Sequence, residues 1–193
     1  IILSHEKKAA HQIALQLIEK PEVSFWMFLI PLVFIPYLQR LNKYKSAVKI
    51  FKDGYLFTKH QALEAAYAMY KEQIPKNVAL ERAKKTVIKD AKAPEHIQKI
   101  YASQLAEISL LVDFYYSLFQ TSGNSYEEMI RELHPQKALH LEFLNILAAA
   151  EHEVNSRAVH AVKIKETEQQ EFLQELEKRS QEFRLQETEK IYC

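Results

Sequence analysis

Glycine is nearly missing from this chain: two of 193 residues, Gly54 and Gly123, alongside six prolines and one cysteine. So few turn-forming residues argue against a sheet, and abundant Ala, Leu, Glu, Lys and Gln favour an almost wholly helical protein. Two isolated glycines also exclude the clustered-glycine loop whose backbone amides cradle a nucleotide phosphate. The lone Cys193 is the last residue, so there is no internal disulfide framework, a reducing compartment is compatible, and the thiol reads as a bystander. Excess charge of one sign is absent too. Twenty-six Lys and Arg face 25 Asp and Glu, a net of +1 that weakens any nucleic-acid reading, and no such partner is expected. The chain opens on Ile1 rather than Met, which suggests an earlier start; His5, Glu6, Lys7, Lys8 and His11 keep residues 1–20 from reading as a targeting signal.

What the chain does have is an uncharged run from Phe25 to Leu38, FWMFLIPLVFIPYL, broken by Pro31 and Pro36. As a helix it would reach roughly 21 Å against a hydrocarbon core of about 30 Å, too short for simple spanning. Phe25, Phe28, Leu29, Ile30, Leu32, Val33, Phe34, Ile35 and Leu38 together favour insertion by only about 3 to 5 kcal/mol. Two interior prolines, at up to ~3 kcal/mol each, could cancel that. The expectation is therefore a re-entrant or monotopic segment, bent where Pro31 strains the turn at Met27 and Pro36 the turn at Leu32, with Trp26 and Tyr37 at the headgroup boundary. Arg40, Lys43, Lys45, Lys49, Lys52 and Lys59 follow, opposed only by Asp53. Leu41, Tyr44, Val48, Phe51 and Tyr55 fall among them at helical spacing, so one side can rest on acyl chains while basic side chains reach anionic headgroups. A buried hairpin in a soluble core is the competing reading; the basic segment favours membrane lipids.

The remaining periodicities predict an opening helix over Ser4–Lys20 and a basic helix over Gln39–Lys52 that leaves through a left-handed Asp53–Gly54. Thr58 and Gln61 have capping-box spacing for a helix to Glu72, and a short helix restarts after Pro75 and runs through Asp90. Pro94 opens the strongest helix, to about Gln120. In it Tyr101, Leu105, Ile108, Val112, Tyr115 and Phe119 form a heptad seam for packing within the chain or against a partner subunit or second copy. Ser109, Asp113 and Ser117 leave it a thin polar stripe, with Asp113 expected as an ordinary exposed acid. Ser125 and Glu128 form another capping box for a helix ending at His134, and Pro135 begins the last bundle helix, with Leu139, Phe143, Ile146, Leu147, Ala150, Val154, Ala158 and Ala161 inward. From Glu166 acids dominate. Ser180 interrupts the seam of Leu173, Leu176 and Phe183, so a solvated helix or mobile tail is favoured over a docking segment.

Catalytic and cofactor chemistry is not evident. A ferritin-like diiron site needs Glu three residues before His on two helices, and none of the eight histidines fits, so no metal, cofactor or catalytic residue is assigned. Pairs such as His60 with Glu64 and Glu153 with Arg157 read as surface charge.

The stretch from Glu19 to Pro31, with its Lys20-Pro21, Ser24, Trp26-Met27 and Ile30-Pro31, resembles a bacterial family of uncharacterised helical proteins, a likeness extending to Phe143-Leu144-Asn145 and Glu151–Asn155. The resemblance implies a bacterial, membrane-associated protein and transfers no activity or site. The sequence thus predicts an all-α, irregular helical bundle in three regions: 1–60 membrane-associating, 61–165 bundle, 166–193 charged helical extension. Its expected role is a non-catalytic scaffold or accessory subunit on the cytoplasmic face of the inner membrane. The alternative is a soluble bundle binding an acyl chain or hydrophobic cofactor, even an enzyme, with Asp113, Tyr115 and His140 as the polar groups to inspect.

Overall fold

The computed structural model describes residues 1–18, 44–161 and 165–193, without the side chains of Ile18, residues 44–47 and Ile50. The expected membrane segment, Phe25–Leu38, together with Arg40 and Lys43, lies outside the described residues. Every described element is helical: α1 (Ile2–Ile18), α2 (Tyr44–Glu72), α3 (Lys76–Val87), α4 (Glu95–Phe119), α5 (Tyr126–Leu133), α6 (Lys137–His160) and α7 (Glu166–Tyr192).

α4 is the central rod, touching α2, α3, α5 and α6. Its predicted seam packs inside this chain: Tyr101, Ile108, Val112 and Tyr115 are buried, and Leu105 and Phe119 lie half-buried against the same cluster. A second face carrying Ile100, Gln104, Glu107, Leu111, Phe114 and Leu118 is also buried. The polar stripe survives as expected, with Asp113 exposed and its Oδ2 2.7 Å from Lys76 Nζ. A helix buried on two faces is apolar over most of its girth, as this one is.

α1 runs antiparallel to α2. Ile2 shares a core cluster with Ala62 and Ala65, while Ile13 and Leu17 share another with Val48 and Phe51. α7 returns along α1 in the opposite sense, with Ile191 beside Ile2 in one cluster and Phe172 and Leu173 beside Leu17 in the other. One core therefore draws on all three sequence regions.

Three expectations are corrected. The chain does not leave helix at Asp53–Gly54: α2 continues to Glu72 and no described glycine has positive φ. Its face against α1 extends on both sides of Gly54, from Val48 and Phe51 to Ala62, and that burial outweighs the ~1 kcal/mol a mid-helix glycine costs. The left-handed exit falls instead at Gln73, φ 55°, whose side-chain amide donates to the Tyr70 carbonyl at 2.7 Å. Thr58 accordingly caps nothing and is buried in mid-helix.

The second correction concerns the start and part of the inward face of α6: it begins at Lys137 after Gln136 rather than at Pro135, while Leu147, Val154 and Ala158 are buried as expected. Leu139 and Ile146 are 45% and 51% exposed, and the buried seam is His140, Leu147, Val154 and Ala158. The third is α7, which is docked, not solvated: Phe172, Leu173, Leu176, Ser180 and Phe183 are all buried. Ser180 keeps the seam's spacing and is itself buried, so the residue read as an interruption lies on the docked face.

Other local signals hold. Pro94 stands at the N-cap of α4 and Pro75 at that of α3. Ser125 Oγ accepts from the Glu128 amide at 3.1 Å, and the Glu128 carboxylate accepts from the Asn124 amide at 2.7 Å. Gly123 is required there by close approach: a Cβ would sit 2.6 Å from the Met129 backbone nitrogen.

If α7 is part of the core, Phe183→Ala lowers unfolding free energy by ~3–5 kcal/mol in denaturant titration, whereas the exposed neighbour change Leu185→Ala costs under about 0.5. A solvated α7 would make the two changes equally mild.

Candidate functional site

Five helices each send a charged or hydroxyl side chain into one largely buried centre. From α2 comes Lys59, 4% exposed, with Thr58 beside it and Tyr55 one turn earlier; α4 supplies Glu107, 3% exposed, and Tyr115 two turns on. Glu6 arrives from α1, Glu151 from α6 and Arg184 from α7. Lys59 Nζ lies 2.7 Å from Glu151 Oε1, 3.5 Å from Glu107 Oε1 and 4.1 Å from the centroid of the Tyr55 ring. Arg184 Nη2 donates to both Glu151 oxygens at 2.7 Å. Thr58 Oγ1 donates to Glu107 Oε1 and the Tyr115 hydroxyl to Glu6 Oε1, each at 2.8 Å. At the margin His5 stacks on Tyr126 at 3.6 Å and its Nε2 lies 3.2 Å from Glu187.

Burial sets the protonation pattern. Burial alone would raise Glu151, yet Arg184 and Lys59 hold its carboxyl down to about 2. Burial would likewise discharge Lys59, but Glu151, Tyr55 and Glu107 keep its ammonium firmly charged. Glu6 and Glu107 are pushed up by burial, with Lys59 opposing in both cases. His5, depressed by burial and by Lys8, and His140, depressed by burial, His134 and Arg184, each fall to about 4 and are neutral at neutral pH.

That pattern limits the chemistry. A lysine held this firmly as ammonium has no lone pair for nucleophilic or Schiff-base work. The cavity lined by Glu6, Tyr55, Lys59, His140 and Arg184 is partly open and about 40 Å³, room for a few waters and not for an acyl chain. Behind the Glu151–Arg184 pair, a larger groove of about 240 Å³ opens between α6 and α7, where Ala148 and Ser180 are small, flanked by Leu144 and Leu176. His134 and His140 meet Nδ1 to Nδ1 at 3.3 Å, a hydrogen-bond distance, and no group of three metal-ligating side chains occurs among the described residues. Gln104 Oε1 is buried without a partner among them.

The residues singled out from sequence fall in different places. Lys49 is exposed and Lys52 half-buried on the first turns of α2, with Lys45 on the same turns and its side chain outside the description. Of the groups to inspect, Asp113 is a surface acid, Tyr115 donates to Glu6, and His140 is buried beside His134. His60 with Glu64 and Arg157 with Glu153 are exposed i,i+4 pairs at 3.6 and 3.0 Å. Lys59, read with the basic segment as reaching anionic headgroups, is instead buried, and Val48, Phe51 and Tyr55, read as resting on acyl chains, pack half-buried against α1 and α7. Glu6, Glu107, Glu151 and Arg184 were not picked out as site residues. Their one signal was register: Glu6 stands four residues after Ile2, and Glu151 four after Leu147 and three before Val154, positions that a helix turns inward. No protein-family model, curated protein or solved structure matches this chain.

Removing Glu151 leaves two buried cations facing each other, so Glu151→Gln costs ~3–5 kcal/mol by denaturant titration. Because its folded pKa lies below the ordinary 4.5, Glu151 contributes stability above that value and loses it as pH falls toward about 2. Acid titration of unfolding free energy should show this decline in the wild type and lose that component in Glu151→Gln.

Proposed function

We propose that this protein is a non-catalytic helical scaffold or accessory subunit that attaches to a membrane face through the segment joining α1 to α2. One observation carries the reading. α1 and α2 are an antiparallel pair whose ends at Ile18 and Tyr44 lie at the same end of the bundle, since Leu17 and Val48 share a cluster there. The chain therefore leaves and re-enters at one end, and Phe25–Leu38 belongs to that connection. A hairpin base clamped by a buried ion cluster is a rigid mount for an apolar insertion.

Charge supports the same orientation. Lys49 is exposed and Lys52 half-exposed on the α2 turns nearest the connection, in keeping with contact to anionic headgroups alongside Arg40, Lys43 and Lys45. No helix among the described residues is long and apolar enough to cross a membrane; the proposed attachment is through residues 25–38. The cytoplasmic face of a bacterial inner membrane, rich in anionic lipid, is the proposed location, with other subunits or a second copy as protein partners. The alternative of a bundle enclosing an acyl chain draws no support from the centre around Tyr115 and His140, whose cavity is about 40 Å³.

The full chain should sediment with vesicles containing anionic lipid, and a triple change of Leu29, Val33 and Ile35 to Asp should abolish this while leaving the helical spectrum intact. Equal sedimentation of wild type and triple variant would overturn the reading.

A further inference from the structure

The buried centre contains more acids than bases. Glu107 and Glu151 are matched by Lys59 and Arg184 at 2.7 to 3.5 Å, but Glu6 has no cation within ion-pair distance among the described residues and meets the Tyr115 hydroxyl instead. Glu6 is also 9% exposed, so water screens it poorly. An unpaired carboxylate in such a place is costly, and the inexpensive alternative is to keep its proton.

We propose that the Glu6 carboxyl is a proton-binding site of the folded protein, neutral at neutral pH, and that its ionisation loosens α1 from the other helices. The charge count then closes: Lys59 and Arg184 balance Glu107 and Glu151, and Glu6 adds nothing. The Tyr115 hydroxyl donates to Glu6 in either state, while the neighbouring cavity has room for a water to accept the acid's own proton.

The surroundings of Glu6 set what ionisation would meet. From α2 it faces Lys59 and Tyr55, from α4 Tyr115, and from α5 Tyr126. α6 adds Glu151 and the neutral His140, and α7 adds Arg184 with Glu187 at the rim; His5 and Lys8 are its neighbours on α1. Burial is the largest cost of ionising Glu6; Lys59, the Tyr115 hydroxyl and Arg184 oppose it, but both cations are already engaged by Glu151 and Glu107, and Glu151 adds repulsion. α1 carries that cost because Glu6 is its charged residue in the centre; its main packing is against α2 and α7 through Ala9, Ile13, Ala14 and Leu17, with Tyr115 of α4 and Tyr126 of α5 touching its first turns. Since the folded state raises this pKa, the contribution of Glu6 is complete below the ordinary carboxyl value and is lost as pH rises through the folded one. The regulation is local, not a variant of the membrane reading, and its test does not involve lipid.

Infrared titration of the full-length protein reads the proton, and amide hydrogen exchange reads α1. The expected result is a protonated-carboxyl stretch at neutral pH in the wild type that is absent from Glu6→Gln and retained in Glu107→Gln. Protection of α1 amides, corrected for base-catalysed exchange, should fall by up to about tenfold per pH unit above the Glu6 pKa in the wild type and stay level in Glu6→Gln. If Glu6→Gln fails to fold, Tyr115→Phe reports on the same group, because losing its hydrogen bond moves the acid stretch to higher frequency. An acid band unaltered in Glu6→Gln, or unmoved in Tyr115→Phe, or an α1 protection curve identical in wild type and Glu6→Gln, would overturn the proposal.

Discussion

The ammonium of Lys59 has to be neutralised in the middle of a helical bundle, and the arrangement of the other long helices follows from that requirement. One buried charge attracts a carboxylate from α4 and one from α6; the α6 carboxylate needs a second cation, and Arg184 brings α7 in to supply it. An ion pair of this kind adds little net stability over an apolar contact of the same shape, because desolvation offsets most of the attraction. What it does enforce is correspondence. Apolar helices can slide by a turn at modest cost, whereas a register that leaves Lys59, Glu151 or Arg184 alone in the interior is prohibited.

The hairpin of α1 and α2 gains its rigidity from this centre. Lys59 lies in the second half of α2 and Glu6 in the first half of α1, so the polar contacts bind the end of the hairpin remote from Ile18 and Tyr44. Toward the connection, the contacts are the apolar ones of Ile13, Leu17, Val48 and Phe51, with Phe172 and Leu173 of α7 closing the third side. The fold divides accordingly into an ionic half that fixes register and an apolar half that leads into residues 19–43. The proposed attachment site sits at the apolar half, where insertion into lipid would not disturb the charges.

Much of this fold was legible in the chain and the site was not, for the same reason. Apolar spacing marks inward faces, and it located the seam of α4 from Tyr101 to Phe119, the caps at Pro94 and Ser125, and the exposed stripe through Asp113. It failed where inward positions are polar. In α6, His140 and Glu151 take inward positions, so counting apolar residues placed Leu147, Val154 and Ala158 correctly but widened the face to Leu139 and Ile146, which are outside. In α7, Ser180 was read as a break in a solvated, acid-rich helix, though it and Arg184 lie on the docked face. Gly54 misled through its ordinary preference for helix ends, which long-range packing of α1 against α2 overrode. A charged residue at an inward heptad position is ambiguous taken singly; three acids and two bases at such positions on five helices acquire meaning only when the helices are placed together.

The claim on which this account rests is that Lys59 and Glu151 act as one unit, and a double-mutant cycle measures it directly. Unfolding free energies of the wild type, Lys59→Met, Glu151→Leu and the double variant should give a coupling of ~0.5–3 kcal/mol, each single change costing more in the presence of its intact partner. Effects that add to within about 0.3–0.5 kcal/mol would contradict it, because independent residues are not a shared ionic centre.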